Sequence, residues 1–152
     1  MTVRKYTSGD RDVLMPFFED FYCSPALAHP LDKRTLDIIF DDAVNHTHGL
    51  SGFALTDKDK NAKNDKIIGF AHVSSYYATE VAGICVMIED LYISPEFRGA
   101  GFAREFFDWL FQRYSNAKRF RLEVTPENKM AESLYKRLGF QKIAYNNMIL
   151  DM

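Results

Sequence analysis

The sequence predicts an α/β fold, with α+β the neighbouring label: a mixed sheet carrying helices on both faces. Segments with apolar residues at helical spacing alternate with β-branched and aromatic runs. Their order is strand, two helices, three strands, helix, strand, helix, two strands. The 152 residues, 47% hydrophobic and 14% aromatic, suffice for one domain with a full core and not for two ordinary ones. One domain over residues 1–152 is expected, without internal repeat or linker.

Residues 3–7 read as a short strand. Val13, Leu14, Phe17, Phe18 and Phe21 then fall on one helical face that ends near Tyr22, with Pro16 a candidate kink. Asp32 caps a second helix marked by Leu36, Ile39, Phe40 and Ala43, which stops before Gly49. Phe53 to Leu55 and Ile67 to Tyr77 are strands. The polar stretch from Thr56 to Lys66 between them lacks the glycine and terminal glutamate of a calcium loop, so it reads as a solvated hairpin loop. Gly83 to Ser94 is the longest strand signal, ended by Pro95. Ala103, Phe106, Phe107, Leu110, Phe111 and Tyr114 make a core-facing helix. A strand over Arg119 to Val124, a helix with Ala131, Leu134, Tyr135 and Leu138 closed by Gly139, and short strands near Gln141–Ala144 and Met148–Asp151 complete the pattern.

Composition excludes several classes of partner. Nineteen basic and 21 acidic residues give a formal net charge of −2 with no long block of one sign, which argues against nucleic acid and against a membrane surface. Met1 to Tyr6 carry no apolar signal core, and no apolar run approaches the roughly 18–20 residues of a bilayer span, so a cytoplasmic location is expected. Cys23 and Cys85 lie far apart; Cys85 sits in an apolar run as a small hydrophobe, and neither is assigned a disulfide or a nucleophile. His29, His46, His48 and His72 show no ligand spacing on a common face, so no metal is expected.

The most informative segment is Arg98-Gly99-Ala100-Gly101-Phe102-Ala103, a strand-to-helix turn. A helix that starts there leaves its first amides unpaired and its positive dipole end exposed, and glycines let an anion approach the backbone. Arg98 and Arg104 add charge beside those amides, so the expected ligand is a pyrophosphate. Gly99 and Gly101 could equally make a tight connection and nothing more. A dinucleotide fingerprint needs a small residue where Arg104 stands, and a Walker loop needs Gly-Lys-Ser/Thr, which is absent.

Ile88-Glu89-Asp90-Leu91-Tyr92-Ile93-Ser94-Pro95-Glu96-Phe97 followed by that turn resembles the acetyl-CoA motif of the GNAT superfamily of N-acetyltransferases, whose core pattern is Gln/Arg-x-x-Gly-x-Gly/Ala; Arg98, Gly101 and Ala103 satisfy it. Leu122-Glu123-Val124-Thr125-Pro126-Glu127-Asn128, with Ala131, Leu134-Tyr135 and Gly139-Phe140, resembles the family's second signature. The resemblance runs from about Ile67 to Phe140, while the first sixty residues match in outline. It implies a mixed, mostly antiparallel sheet, acetyl-CoA as cosubstrate, and often a homodimer. It also implies that the amides of Leu91, Tyr92 and Ile93 pair with the pantetheine arm, that residues 98 to 104 hold the pyrophosphate, and that Asn128 contacts the cofactor.

Acetyl transfer from a thioester to an amine needs a neutral amine, a polarised carbonyl and a proton for the departing thiolate. Tyr135 stands where family members place the general acid. Glu89 matches the acidic position of spermidine/spermine acetyltransferases and Glu123 that of ribosomal-protein alanine acetyltransferases, and the two compete for the role of base. Strand alternation puts Glu89 with Leu91 and Ile93, which would bury it and raise its pKa unless the strand bulges. Phe21, Tyr22, Tyr76 and Tyr77 could wall an acceptor pocket, with Glu89 and Asp90 favouring a cation. The reading is an N-acetyltransferase acting on a primary amine of a small molecule; a peptide or protein amine, or a non-catalytic acyl-CoA-binding module, are the alternatives.

Overall fold

The structure is a computed structural model, and it describes residues 1–24, 30–57 and 65–151. Strand β1 (Thr2–Lys5) is followed by helices α1 (Arg11–Tyr22) and α2 (Lys33–Asn45), then by β2 (Ser51–Asp57), β3 (Lys66–Ala78) and β4 (Gly83–Ile93). Helix α3 (Phe102–Arg113), β5 (Arg119–Leu122) and α4 (Lys129–Arg137) follow. The five strands lie in the order β1-β2-β3-β4-β5. All neighbours are antiparallel except β4 and β5, which run parallel, so the sheet is mixed and mostly antiparallel.

Helix boundaries follow local chemistry. Asp32 caps α2 by accepting from the Thr35 amide at 2.7 Å, and Asn128 caps α4 by accepting from the Ala131 amide at 3.1 Å. Gly139 follows α4 with φ +94°, a conformation that favours glycine. Helix α1 runs through Pro16.

The apolar stripes of α1 (Leu14, Phe18, Tyr22) and α2 (Leu36, Phe40, Ala43) close one face of the sheet, over Ala54, Phe70 and Tyr92. Phe106, Phe107 and Leu110 of α3 cover the other, over Leu55, Ile68, Val73, Val86 and Ile88. Helix α4 buries nothing fully; Leu134, Tyr135 and Leu138 rest half-buried on the rim of this second cluster.

Two expectations fail at the chain's end. The last sheet strand stops at Leu122, and neither short strand near Gln141–Ala144 or Met148–Asp151 forms. A strand needs a backbone ladder as well as an alternating face. The tail meets the body instead through side chains: Lys142 to Glu132 at 2.8 Å, and Asn147 to Arg121 and Glu123 at 3.1 and 2.8 Å. Met148, Ile149 and Leu150 are 84–95% exposed. The polar stretch does join two antiparallel neighbours, but its middle, residues 58–64, lies outside the described residues, as does His29.

Candidate active site

Between β3 and β4 the register steps from His72 opposite Asp90 to Val73 opposite Ile88, which leaves Glu89 unpaired in a bulge. The extra residue flips the alternation: Ile88 and Leu91 both pack toward α3, while Tyr92 packs toward α1. Glu89 is therefore exposed rather than buried, and the Ser74 hydroxyl donates to it. The burial that strand alternation would have imposed on this carboxylate is absent.

The parallel ladder of β4 with β5 covers only Cys85–Ile88 against Arg119–Leu122. From Glu89 to Ile93 the β5 side of β4 has no strand partner among the described residues. The strands part here around an open cleft of about 1550 Å³ whose wall includes Glu89, Asp90, Leu91, Glu123, Asn128 and Tyr135. Glu123 is 62% exposed, with Asn147 donating to it and Arg121 3.9 Å away. Phe21, Tyr76 and Tyr77 also line the cleft, whereas Tyr22 is buried beneath it and is not part of the wall. Asn128 spends its side-chain oxygen on capping α4.

The Tyr135 ring packs edge-on against Phe107 and Phe140, with centroids 5.6 and 5.9 Å away. Burial raises its phenol pKa, and among the described residues its hydroxyl has no hydrogen-bond partner.

Beyond the cleft lies the glycine turn. Gly99 and Gly101 have φ of +80° and +92°, and a Cβ built on either meets nothing within 4 Å. Gly101 is the N-cap of α3, so the amides of Phe102, Ala103 and Arg104 head the helix without intrahelical acceptors. Ala100, between the glycines, is exposed. Arg98 is anchored by its Nε to the Ile93 carbonyl at 2.8 Å, with its guanidinium 5.6 Å from the Tyr92 ring centre. Arg104 pairs with Asp108 at 3.1 Å along the helix surface, so its charge is shared with a carboxylate. The Tyr92 hydroxyl donates to Asp20, and burial with that hydrogen bond pushes it up to about 12.

One cluster escapes sequence reading. His72, 1% exposed, sits between Tyr6 and Asp90: its Nε2 is 2.8 Å from the Tyr6 hydroxyl and its Nδ1 2.8 Å from Asp90 Oδ2. Tyr22 donates to the same Oδ2 at 2.5 Å. The available signal was a histidine inside the apolar run Ile67 to Val73, since a buried polar group needs partners.

Comparison with known proteins agrees with this geometry. Residues 14–140 match the family model of the acetyltransferase (GNAT) family. A mouse thialysine N-epsilon-acetyltransferase is 33% identical over 79 residues, which cover 51% of this chain and 46% of that protein. The chain thus spans about half the length of the curated relative it matches. Among solved structures, a "possible acetyltransferase" from Clostridium difficile 630 superposes with a TM-score of 0.81 at 18% identity, covering 99% of this chain and 97% of its own. A "transcriptional regulator" from Bacillus halodurans C-125 reaches 0.74 at 18% identity, with 99% of each chain covered. At such identities the structural likeness speaks for the fold alone. The match over residues 14–140, with the splayed β4–β5 pair and the glycine turn, places the chain in the acetyltransferase (GNAT) family.

Proposed function

We propose that the chain is an acetyl-CoA-dependent N-acetyltransferase that acts on a primary amine of a small molecule by direct attack, with Tyr135 as general acid. The observation that carries this reading is the Tyr135 phenol: fixed by its ring, kept protonated by burial, and without a hydrogen-bond partner among the described residues on the wall of the cleft.

The donor half follows from the backbone. Residues 98 to 104 offer the free amides of Phe102, Ala103 and Arg104 and empty space at two glycines, which suits a pyrophosphate. The unpartnered stretch of β4 at Leu91, Tyr92 and Ile93 suits an amide-bearing arm laid alongside like an added strand. Asn128 retains its amide nitrogen for the cosubstrate while its oxygen caps α4. As the amine nitrogen bonds to the acetyl carbon and the carbon–sulfur bond breaks, Tyr135 gives its proton to the leaving thiolate. Glu89 and Glu123 are the carboxylates offered for the amine's proton, directly or through water.

The mouse relative's name specifies a lysine-like primary amine, which supports the acceptor class. No helix among the described residues is long and apolar enough to cross a membrane; a cytoplasmic setting is part of the proposed reading. A homodimer belongs to the same reading.

The test is acetyl-CoA consumption, followed by thiol release, against amines, polyamines, amino acids, aminoglycosides and peptides. Turnover is expected with one or more small primary amines. Turnover with peptides alone would move the acceptor to protein amines, and CoA binding without any turnover would make the chain a binding module.

A further inference from the structure

Asp90 differs from Glu89 and Glu123, the two cleft carboxylates offered for the amine's proton. It is 14% exposed where Glu123 is 62% exposed, and its Oδ2 is held from beneath by two buried side chains. His72 lies directly across from it in the β3–β4 register. Because a carboxylate only accepts, the ring proton of His72 stands on Nδ1, which donates to Asp90 at 2.8 Å. Nε2 is then the acceptor for the Tyr6 hydroxyl at 2.8 Å. Tyr22, whose oxygen is also 3.1 Å from Nδ1, completes the set by donating to Oδ2. Burial, reinforced by the charge of Asp90, pushes both tyrosine hydroxyls far above their ordinary range, so both remain donors.

Every donor in this network has one acceptor, and both bonds to the carboxylate fall on Oδ2. Asp90 Oδ1 has no hydrogen-bond partner among the described residues, and no buried side-chain oxygen among them is left unsatisfied, so Oδ1 is open to solvent. Asp90 lines the same cleft as Tyr135. The network is set among the rings of Phe18, Phe40 and Phe70, and apolar side chains of equal volume often stabilise a fold as well as buried polar groups do. What polar groups supply there is orientation.

We infer that His72, with Tyr6 and Tyr22, is a positioning residue for the acceptor: it fixes the Asp90 carboxyl so that Oδ1 receives the ammonium of the incoming amine at the cleft wall. The inference rests on the amine-acetyltransferase reading above. A carboxylate locked through one oxygen presents the other at a set angle, which turns a charge-assisted contact into alignment of the nitrogen; once Glu89 or Glu123 has taken a proton from the ammonium, directly or through water, the neutral amine is placed for attack. Tyr6 acts one step further back. Its ring fills the space over Gly52, where a Cβ would lie 2.1 Å from it, and its hydroxyl selects the His72 tautomer that donates to Asp90.

The experiment uses the full chain, thiol release from acetyl-CoA, and whichever of 1,5-diaminopentane, spermidine or L-lysine is turned over fastest. His72→Leu and Tyr22→Phe should each raise KM for the amine at least fivefold and leave KM for acetyl-CoA within twofold. His72→Asn, which keeps an N–H donor near the place of Nδ1, should return the amine KM to within threefold of wild type. A merely structural role would lower Tm and leave the amine KM unmoved, and that result in Tyr22→Phe overturns the inference even where His72→Leu does not fold. Wild-type protein that turns over none of the three sends the same variants to the fastest amine of the wider screen above, and turnover of no amine in that screen defeats the amine reading and the inference with it. Turnover by wild type with an amine KM indifferent to both substitutions defeats the inference alone.

Discussion

The two faces of the sheet are built differently. Under α1 and α2 the core is sealed: Leu14, Phe18, Phe40 and Phe70 are fully buried, and even its polar members are bonded to one another. Under α3 and α4 the core is sealed only over the middle strands, and toward β5 it thins into half-buried Phe120, Leu122, Tyr135 and Leu138 around the cleft. The first face keeps its central side chains from solvent and yields stability and orientation. The second leaves apolar surface and backbone unpaired, which costs stability and creates the space a ligand needs.

Substitutions should divide along this line. The largest effect belongs to the closed face: Phe18→Ala should cost about 3–5 kcal/mol in urea unfolding, while Leu122→Ala beside the cleft should cost about 1 kcal/mol. Equal losses would erase the distinction. Next comes the glycine turn. A side chain at Gly101 meets no protein atom within 4 Å but carries strain at φ +92° and occupies the approach to the α3 amides. Gly101→Val should therefore abolish thermal stabilisation by CoA, which for wild type reaches about 2.7 kcal/mol at a hundred times Kd. A retained shift would remove the turn from the binding site.

Tyr135→Phe should lower kcat tenfold or more, about 1.4 kcal/mol or above in the barrier, with CoA affinity unchanged because a proton donor to the leaving thiolate acts in the transition state. Unchanged turnover would leave Tyr135 a packing residue. The smallest effect lies outside both faces. Hydrogen bonds from Arg4, at 2.9 and 2.7 Å, lead the causes that hold Asp10 at about 2, against an ordinary value of 3.8. A depressed folded pKa means the contribution is fully present above the unfolded value and is lost as pH falls from about 4 toward 2. Asp10→Asn should flatten that part of the urea-midpoint profile; an identical acid limb in the variant would assign the loss to other carboxylates.

Much of this was legible because it is local. Leu14 and Phe18 of α1, the cap at Asp32 and the spacing of Phe106, Phe107 and Leu110 depend on neighbours within a turn or two, and helix periodicity reports them directly, although Val13, read onto the same face, is exposed and Tyr22 is buried in its place. The turn at Arg98 to Ala103 was readable for the same reason: positive φ at Gly99 and Gly101 is a property of single residues. The bulge at Glu89 was foreseen only as a condition, since alternation within a strand cannot say where the ladder slips. The closing strands failed on the same ground, because period-two patterning is local and a ladder partner is not.

By itself, then, the chain determined where helices α1 to α4 and strands β1 to β5 roughly lie, that Asp32 caps α2, and that a glycine turn heads α3. Only the tertiary structure decided which carboxylate is fixed beneath the cleft. His72 meets partners 66 residues before it and 18 after it, and Tyr22 reaches Asp90 across 68. No periodicity encodes those separations; they exist because β3 and β4 pair with His72 opposite Asp90 and because α1 packs its last turn against that pair.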